Sequence, residues 1–249
     1  MRRAAQYLWL PVLVVVIWQV AASLRWIDPL FFPPPSELAP AAAASIRNGE
    51  LPRHIAATLR RTFAGFVLGS GLGLLVGVAI GIRVWVGRSL SPLIAALYTT
   101  PKLGLLPMVM LFLGVTDVSR IALVALGSFL MQTMHTADAV RGIPTAYVDL
   151  ARNYGAGGMA LLRKVYLPAT APGVFTGLRL ALGRALMITV AVELVSAPEG
   201  IGHMIWMSWQ TFATRQLYLG VAAAAGLGAA LHLGLRTAER HLLPWTGRR

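Results

Sequence analysis

Cysteine is absent from this 249-residue sequence, and lysine occurs only as Lys102 and Lys164. Charged residues make up 12% of the chain, against about 25% in a soluble globular domain. Acidic residues number nine against 22 basic ones. Each scarcity excludes something. Without cysteine there is no disulfide and no thiolate metal site, on either side of a membrane. A phosphate-cradling GxxxxGK[ST] loop needs a lysine after a glycine, but Lys102 follows Pro101 and Lys164 follows Arg163. The chain therefore holds no nucleotide through such a loop. It has no HExxH or other metal-ligand spacing, and its Ser, His and carboxylate residues form no hydrolase pattern. Ion-coupled carriers bury acids at mid-membrane; here Glu193 is the one acid well inside an apolar run.

What remains is apolar. Hydrophobic residues reach 57% and mean hydropathy is +0.68, the composition of an all-α integral membrane protein. A span takes about 20 mainly apolar residues. Six runs qualify: 8–24, 62–82, 91–113, 118–136, 170–196 and 215–236. Pro101 and Pro107 interrupt the third, which predicts a broken helix. The N-terminus, MRRAAQYLWLPVLVVVIWQVAASL, could be read as a signal peptide ending near Ala21–Ala22. Its apolar run from Leu8 to Leu24 is longer than the usual signal core and holds Trp9 and Trp18, so a retained first helix is expected.

The formal net charge of +13 is not a nucleic-acid signal. The arginines form no single stripe, and no binding fold fits between the apolar runs. It reads instead as topogenic, since cytoplasmic loops of membrane proteins accumulate Lys and Arg. Six spans with both termini inside put Arg2, Arg3, Arg83, Arg88, Arg141, Arg152, Arg163, Lys164, Arg236, Arg240, Arg248 and Arg249 in the cytoplasm. Arg120 and Arg215 fall outside, with Arg25, Arg47, Arg53, Arg60 and Arg61 of the long loop 25–61. Short loops decide orientation and favour this one. Within that loop the prolines of FFPPPSEL force an extended stretch. Ser36 is placed to cap a helix from Glu37 that Gly49 ends, and a second helix runs from Pro52 into span two.

Span two carries Gly65, Gly69, Gly73, Gly77 and Gly81, a glycine on every fourth residue of one helical face. Such ladders let helices approach closely in lipid; they serve bundle packing, or else a dimer seam or sliding surface. Gly220, Ala224 and Gly228 repeat the theme more weakly in span six. Polar groups near the spans are few. Lys102 either lines a passage and attracts an anion or snorkels to the inner interface. Glu193 either gates the outer mouth or bonds a neighbouring helix. Arg179 and Arg184 suit lipid headgroups or partner acids, and His232 suits packing. Met204, Trp206, Met207 and Trp209 suit an interfacial belt.

The polar anomaly is PTAYVDLARNYGAGGMALLRKVYLP, from Pro144 to Pro168. Pro144 suits a helix start. Tyr147, Leu150, Ala151 and Tyr154 form one apolar face, with Asp149, Arg152 and Asn153 off it. Gly155–Gly158 break this helix, and a second begins near Met159 with Leu161, Leu162, Val165 and Tyr166 on its face, ended by Pro168. The pair either lies on the membrane or docks a soluble partner in a groove. A chain with no energy source of its own favours docking.

VDLARNYGAGGMALLRKVYLPATAPGVFTGLRLALG resembles the EAA loop of ABC-importer permeases, roughly EAA, three residues, G, nine residues, I-x-LP. Asp149, Leu150 and Ala151 stand at EAA, Gly155 at the glycine, Val165 at the isoleucine and Leu167–Pro168 at LP. Asp replaces Glu and Leu replaces the first Ala. LFFPPPSEL, PKLGLLPMVMLFLGV, VRGIP, VAVELVSAPEGIGHMIW and AERHLLPW are similar in order and spacing to the nitrate/sulfonate/taurine branch, across about residues 28–246.

The resemblance implies a six-transmembrane-helix type I ABC importer permease in the cytoplasmic (inner) membrane. Residues 1–55 would form the first helix and outer loop, and 241–249 a cytoplasmic tail. Residues 56–240 would be the permease core, with the coupling loop at 141–168. Two copies would form a homodimeric pathway for a small anion of sulfonate, taurine or nitrate type. Asp149, Leu150, Ala151, Asn153, Tyr154, Gly155 and Ala156 would enter a cleft of each subunit of an ABC ATPase dimer. That dimer, not this chain, would hold ATP and Mg; no cofactor or metal is expected here. A periplasmic or lipid-anchored binding protein would deliver solute, with Lys102 and Glu193 as candidate pathway residues. ATP binding would draw the coupling helices together and open the pathway outward; hydrolysis would reset it. The competing reading is a self-sufficient secondary carrier or channel.

Overall fold

A computed structural model of the chain describes residues 2–246 and the side chains of 9–245. Arg248, Arg249 and the side chains of Arg2 and Arg3, assigned above to the cytoplasm, lie outside the described residues, as does the tail beyond Thr246. Every described element is helical. In chain order these are α1 (Arg2–Ser23), α2 (Pro35–Arg47), α3 (Glu50–Ile82), α4 (Val84–Thr99), α5 (Leu106–Leu113) and α6 (Asp117–Arg141). There follow α7 (Thr145–Asn153), α8 (Gly158–Leu161), α9 (Leu167–Ser196), α10 (Ile201–Gln210) and α11 (Thr214–Leu242). A 3₁₀ turn (Lys102–Leu105) leads into α5, and a π turn (Leu162–Tyr166) joins α8 to α9. The described chain divides into two compact units.

One unit comprises the chain up to Thr58 together with Glu193–Gly226. Its α1 turns Trp9, Leu10, Val12 to Ile17 and Val20 outward, a surface suited to lipid. The helix after the prolines starts at Pro35, earlier than the sequence suggests, and Ser36 does not cap it. Ser36 instead ties α2 to α1: its amide donates to Gln19 Oε1 (3.0 Å) and its hydroxyl accepts from Gln19 Nε2 (3.1 Å). Pro35 in the first helical turn needs no amide partner, which moves the start upstream. The next helix begins at Glu50 rather than Pro52, because Asn48 Oδ1 accepts the Glu50 N–H at 3.0 Å. Leu51, Met204 and Leu219 close a small core.

The other unit comprises Leu59–Val192 and the chain from Leu227. Here α6 lies along the glycine ladder of α3. A methyl group on Gly73 would meet the Phe129 carbonyl at 2.7 Å, and one on Gly77 would meet Thr136 Cβ at 2.6 Å. Gly65, Gly69 and Gly81 face Val124, Ala125 and Val140 in the same way. Ser119, Arg120, Ser128, Gln132, Thr133 and Thr136 of α6 are all buried. Several spend their donors on nearby groups of their own helix: Ser128 on Val124 O (3.0 Å), Thr133 on Phe129 O (2.7 Å) and Gln132 on Thr136 Oγ1 (3.0 Å). Self-satisfied hydroxyls let a polar helix occupy the interior.

By length and composition, α3 and α11 can cross a membrane. The bent pairs α4 with Lys102–Leu113 (93°) and Gly158–Ser196 with α10 (44°) make up to four if each is one span. The apolar part of α1, Trp9–Ser23, is shorter, and α6 is too polar to join this set.

Candidate functional site

The knob after α6 is built on its own small core. Ile143, Val148 and Leu161 are buried together, with Ala151, Val165 and Tyr166 packed against them. The expected apolar face of α7 therefore divides. Ala151 turns inward, while Tyr147, Leu150 and Tyr154 stay outside, Tyr154 at 86% exposure. Val148, which the sequence reading passed over, is the anchor. The exposed ridge is flanked by Asp149 and Arg152, which face each other at 4.0 Å. Gly155 (φ +80°) ends α7, and the Ala156 N–H crosses it to donate to Ala151 O at 2.9 Å. That is a left-handed cap, which favours glycine. Pro168 does not end the second helix: 158–196 runs on as one helix. The π turn at Leu162–Tyr166 widens the helix just where an α register would set the Lys164 carbonyl against the proline ring.

A second feature lies at the 93° break. Thr100 and Pro101 are extended (ψ 132° and 108°), as a residue before proline prefers. The carbonyls freed there take side-chain donors: Thr99 and Thr100 hydroxyls donate to Ala96 O (2.9 and 3.0 Å), and Lys102 Nζ donates to Tyr98 O. Beside the break is a cavity of about 350 Å³ lined by residues 98–103 and by Gly127, Arg184, Met187, Ile188 and Ala191. Arg184 Nη2 donates to the Tyr98 hydroxyl at 3.2 Å. Lys102 Nζ stands 5.2 Å and Arg184 Cζ 5.9 Å from the Tyr98 ring centre.

Glu193 belongs to the first unit and is 1% exposed. Its Oε2 accepts from Thr58 Oγ1 (2.8 Å) and the Gly202 N–H (3.1 Å). The Ile201 N–H donates to Thr58 Oγ1 (2.8 Å), and the Gly200 N–H donates to His54 Nδ1 (3.0 Å). Gly200 has φ +126°, and its Cα lies so close to the Glu193 carboxylate that no side chain fits. These groups satisfy the first amides of α10. A carboxylate at that end also complements the helix dipole. His54 and Thr58 escaped the sequence reading, since nothing local marks them.

At the start of α6, Asp117 pairs with Arg60 (2.5 Å), Arg61 (2.9 Å) and Arg120 (2.9 Å). Burial pushes the Asp117 carboxyl up. Hydrogen bonds from Arg61 and Arg120, with the charges of Arg61 and Arg60, outweigh that and hold it below the usual carboxylate range. Other expectations divide. Arg179 pairs with Glu239 at 3.5 Å. His232 is exposed rather than packed. In the supposed aromatic belt, Met204 is buried, while Trp206, Met207 and Trp209 are exposed.

The fold and these sites define a membrane-embedded transport component, and its family follows. Residues 69–247 match the model of the binding-protein-dependent transport system inner membrane component family, and the chain belongs to it. It is a permease component of an ABC importer, which implies an ATPase and a solute-binding protein as partners.

Among its relatives is the putative aliphatic sulfonates transport permease protein SsuC of Bacillus subtilis (strain 168). It is 33% identical over 95% of this chain and 86% of the relative. The taurine transport system permease protein TauC of Escherichia coli (strain K12) is 33% identical over 94% and 87%. The riboflavin transport system permease protein RibX of Chloroflexus aurantiacus is 30% identical over 94% and 87%. A chain from inward-facing crystals of the MetNI methionine ABC transporter shares the fold, with TM-score 0.65 and 21% identity over 77% of this chain and 93% of that one.

Proposed function

We propose that two copies of this chain form the pathway of an ATP-driven importer for a small anion of sulfonate or taurine type. The assembly sits in the cytoplasmic membrane with six spans per copy and both termini inside. The first helix and outer loop (1–55) flank a permease core (56–240), and the tail (241–249) is cytoplasmic. ATP and Mg are held by the partner ATPase dimer, whose clefts receive α7 and the turn after it: Asp149, Leu150, Ala151, Asn153, Tyr154, Gly155 and Ala156. A periplasmic or lipid-anchored binding protein presents the solute outside.

The observation that carries this reading is the ridge of Tyr147, Leu150 and Tyr154, apolar yet exposed, on a knob with its own buried core. An exposed apolar ridge on a chain without a P-loop is a docking face. The relatives' names supply the solute class. Lys102, lining the cavity at the break, serves the pathway. Glu193 serves it indirectly by holding α10, and the five glycines serve it by packing α3 against α6.

The test is reconstitution with the cognate ATPase and binding protein. Leu150→Asp and Tyr154→Ala leave the isolated permease's melting temperature unchanged, as exposed substitutions do, but abolish ATPase co-purification and ATP-dependent taurine uptake. Gly155→Leu, which strains a left-handed position, uncouples hydrolysis from uptake. Normal uptake by these variants, or gradient-driven uptake by the purified chain alone, refutes the reading.

A further inference from the structure

Lys102 and Arg184 share one cavity with no acidic residue in its lining. Neither has a carboxylate within ion-pair distance among the described residues. Their donor bonds go to neutral oxygens: Lys102 to Tyr98 O, and Arg184 to the Tyr98 hydroxyl. Arg179, on the same helix as Arg184, does reach an acid, Glu239 at 3.5 Å. Cations at membrane depth are expensive and pair with something. Two of them on one ring, without an acid, leave a site short of negative charge.

The backbone points the same way. A 93° break between apolar helices is tolerated at membrane depth only where it is buried in protein or lines a cavity. Met187, Ile188 and Ala191, on the same helix as Arg184, complete the lining with apolar side chains that suit a short alkyl chain. A volume of about 350 Å³ falls at the small end of ligand sites.

We propose that this cavity is an anion station, in which Lys102 and Arg184 hold the oxyanion head of a small amphiphilic solute, Tyr98 fixes both cations, and Met187 and Ile188 take its tail. The substrate class rests on the importer reading above; the site itself does not. Because the cations read charge rather than tail length, the station selects anions as a class. A lipid headgroup phosphate offers the same chemistry and must be told apart.

The absence of cysteine makes the test direct. Met187→Cys places the chain's sole thiol on the cavity wall. The full permease in phosphatidylcholine nanodiscs is labelled with 2-sulfonatoethyl methanethiosulfonate and with its trimethylammonioethyl counterpart, each rate normalised to a free small thiol. Two cations within several ångströms favour the anionic reagent about tenfold or more at low salt. Adding Lys102→Gln and Arg184→Gln brings the ratio to about one. If that triple variant does not fold, each single charge removal, and 1 M salt on Met187→Cys alone, lowers the ratio in its place. Millimolar ethanesulfonate slows labelling; ethylammonium does not.

A ratio near one in Met187→Cys, or one indifferent to both charges, overturns the station. So does protection by phosphatidylglycerol nanodiscs without protection by ethanesulfonate, which assigns the cavity to lipid. Failure of ATP-driven anion uptake in the reconstituted assembly, with the labelling ratio intact, overturns the importer's substrate class and leaves the station standing.

Discussion

Two glycines of α3, two residues apart, have opposite surroundings. A methyl group on Gly69 would lie 2.8 Å from the Ala125 carbonyl carbon and 2.9 Å from Ala125 Cα, and closer still to the carbonyl oxygen. These are backbone atoms, so no rotamer relieves the clash, and α3 and α6 must separate locally. Overpacking of this kind costs about 1–3 kcal/mol, the upper end where backbone must move. Alanine returns about 1 kcal/mol of helix propensity, leaving Gly69→Ala destabilised by about 2 kcal/mol. A methyl group on Gly71 meets nothing within 4 Å, so Gly71→Ala keeps the propensity gain of about 1 kcal/mol. The two variants differ by about 3 kcal/mol, or roughly 6–12 °C in melting temperature for a chain of this size. Fluorescence-detected size-exclusion melting in one detergent measures it. Equal melting, or a lower value for Gly71→Ala, refutes the packing account of the ladder.

Glu193→Ala strands the buried Gly202 N–H and the Thr58 hydroxyl; it lowers stability by about 1–3 kcal/mol, read as a drop in melting temperature, and Glu193→Gln recovers part of it. Asp117 is held below the ordinary carboxylate range in the folded chain, so its pairing contributes fully above that range and is lost as pH falls through the depressed value. Melting against pH therefore shows Asp117→Asn well below the native chain at neutral pH, with the gap closing in acid; a gap independent of pH contradicts the ion-pair cause.

Much of the architecture could be read from the chain. The apolar runs coincide with helices, Pro101 marks the break, and the glycine spacing marks a close helix contact. What could not be read was relational. The run 118–136 reads as a helix, but its burial along the α3 glycines, with its hydroxyls satisfied locally, depends on residues distant in the chain. On α7, Val148 and Leu150 are equally apolar, and only the presence of Leu161 decides which is buried. Pro168 looked like a stop because the π turn that accommodates it leaves no residue-type signature. Arg184 lies far along the chain from Tyr98 and Lys102, so their shared cavity emerges only in three dimensions. His54 and Thr58 meet Glu193 for the same reason.

The small core beneath α7 has a thermodynamic consequence. Ordering a flexible segment on binding carries about 1–2 kcal/mol of backbone entropy for each residue fixed. Val148 is already seated against Ile143 and Leu161, and the turn is locked by the Ala156–Ala151 hydrogen bond. On the docking reading proposed above, the ridge would therefore meet the ATPase as a finished surface, without a folding step to slow association, and a movement of the partner would be carried by the knob as a body.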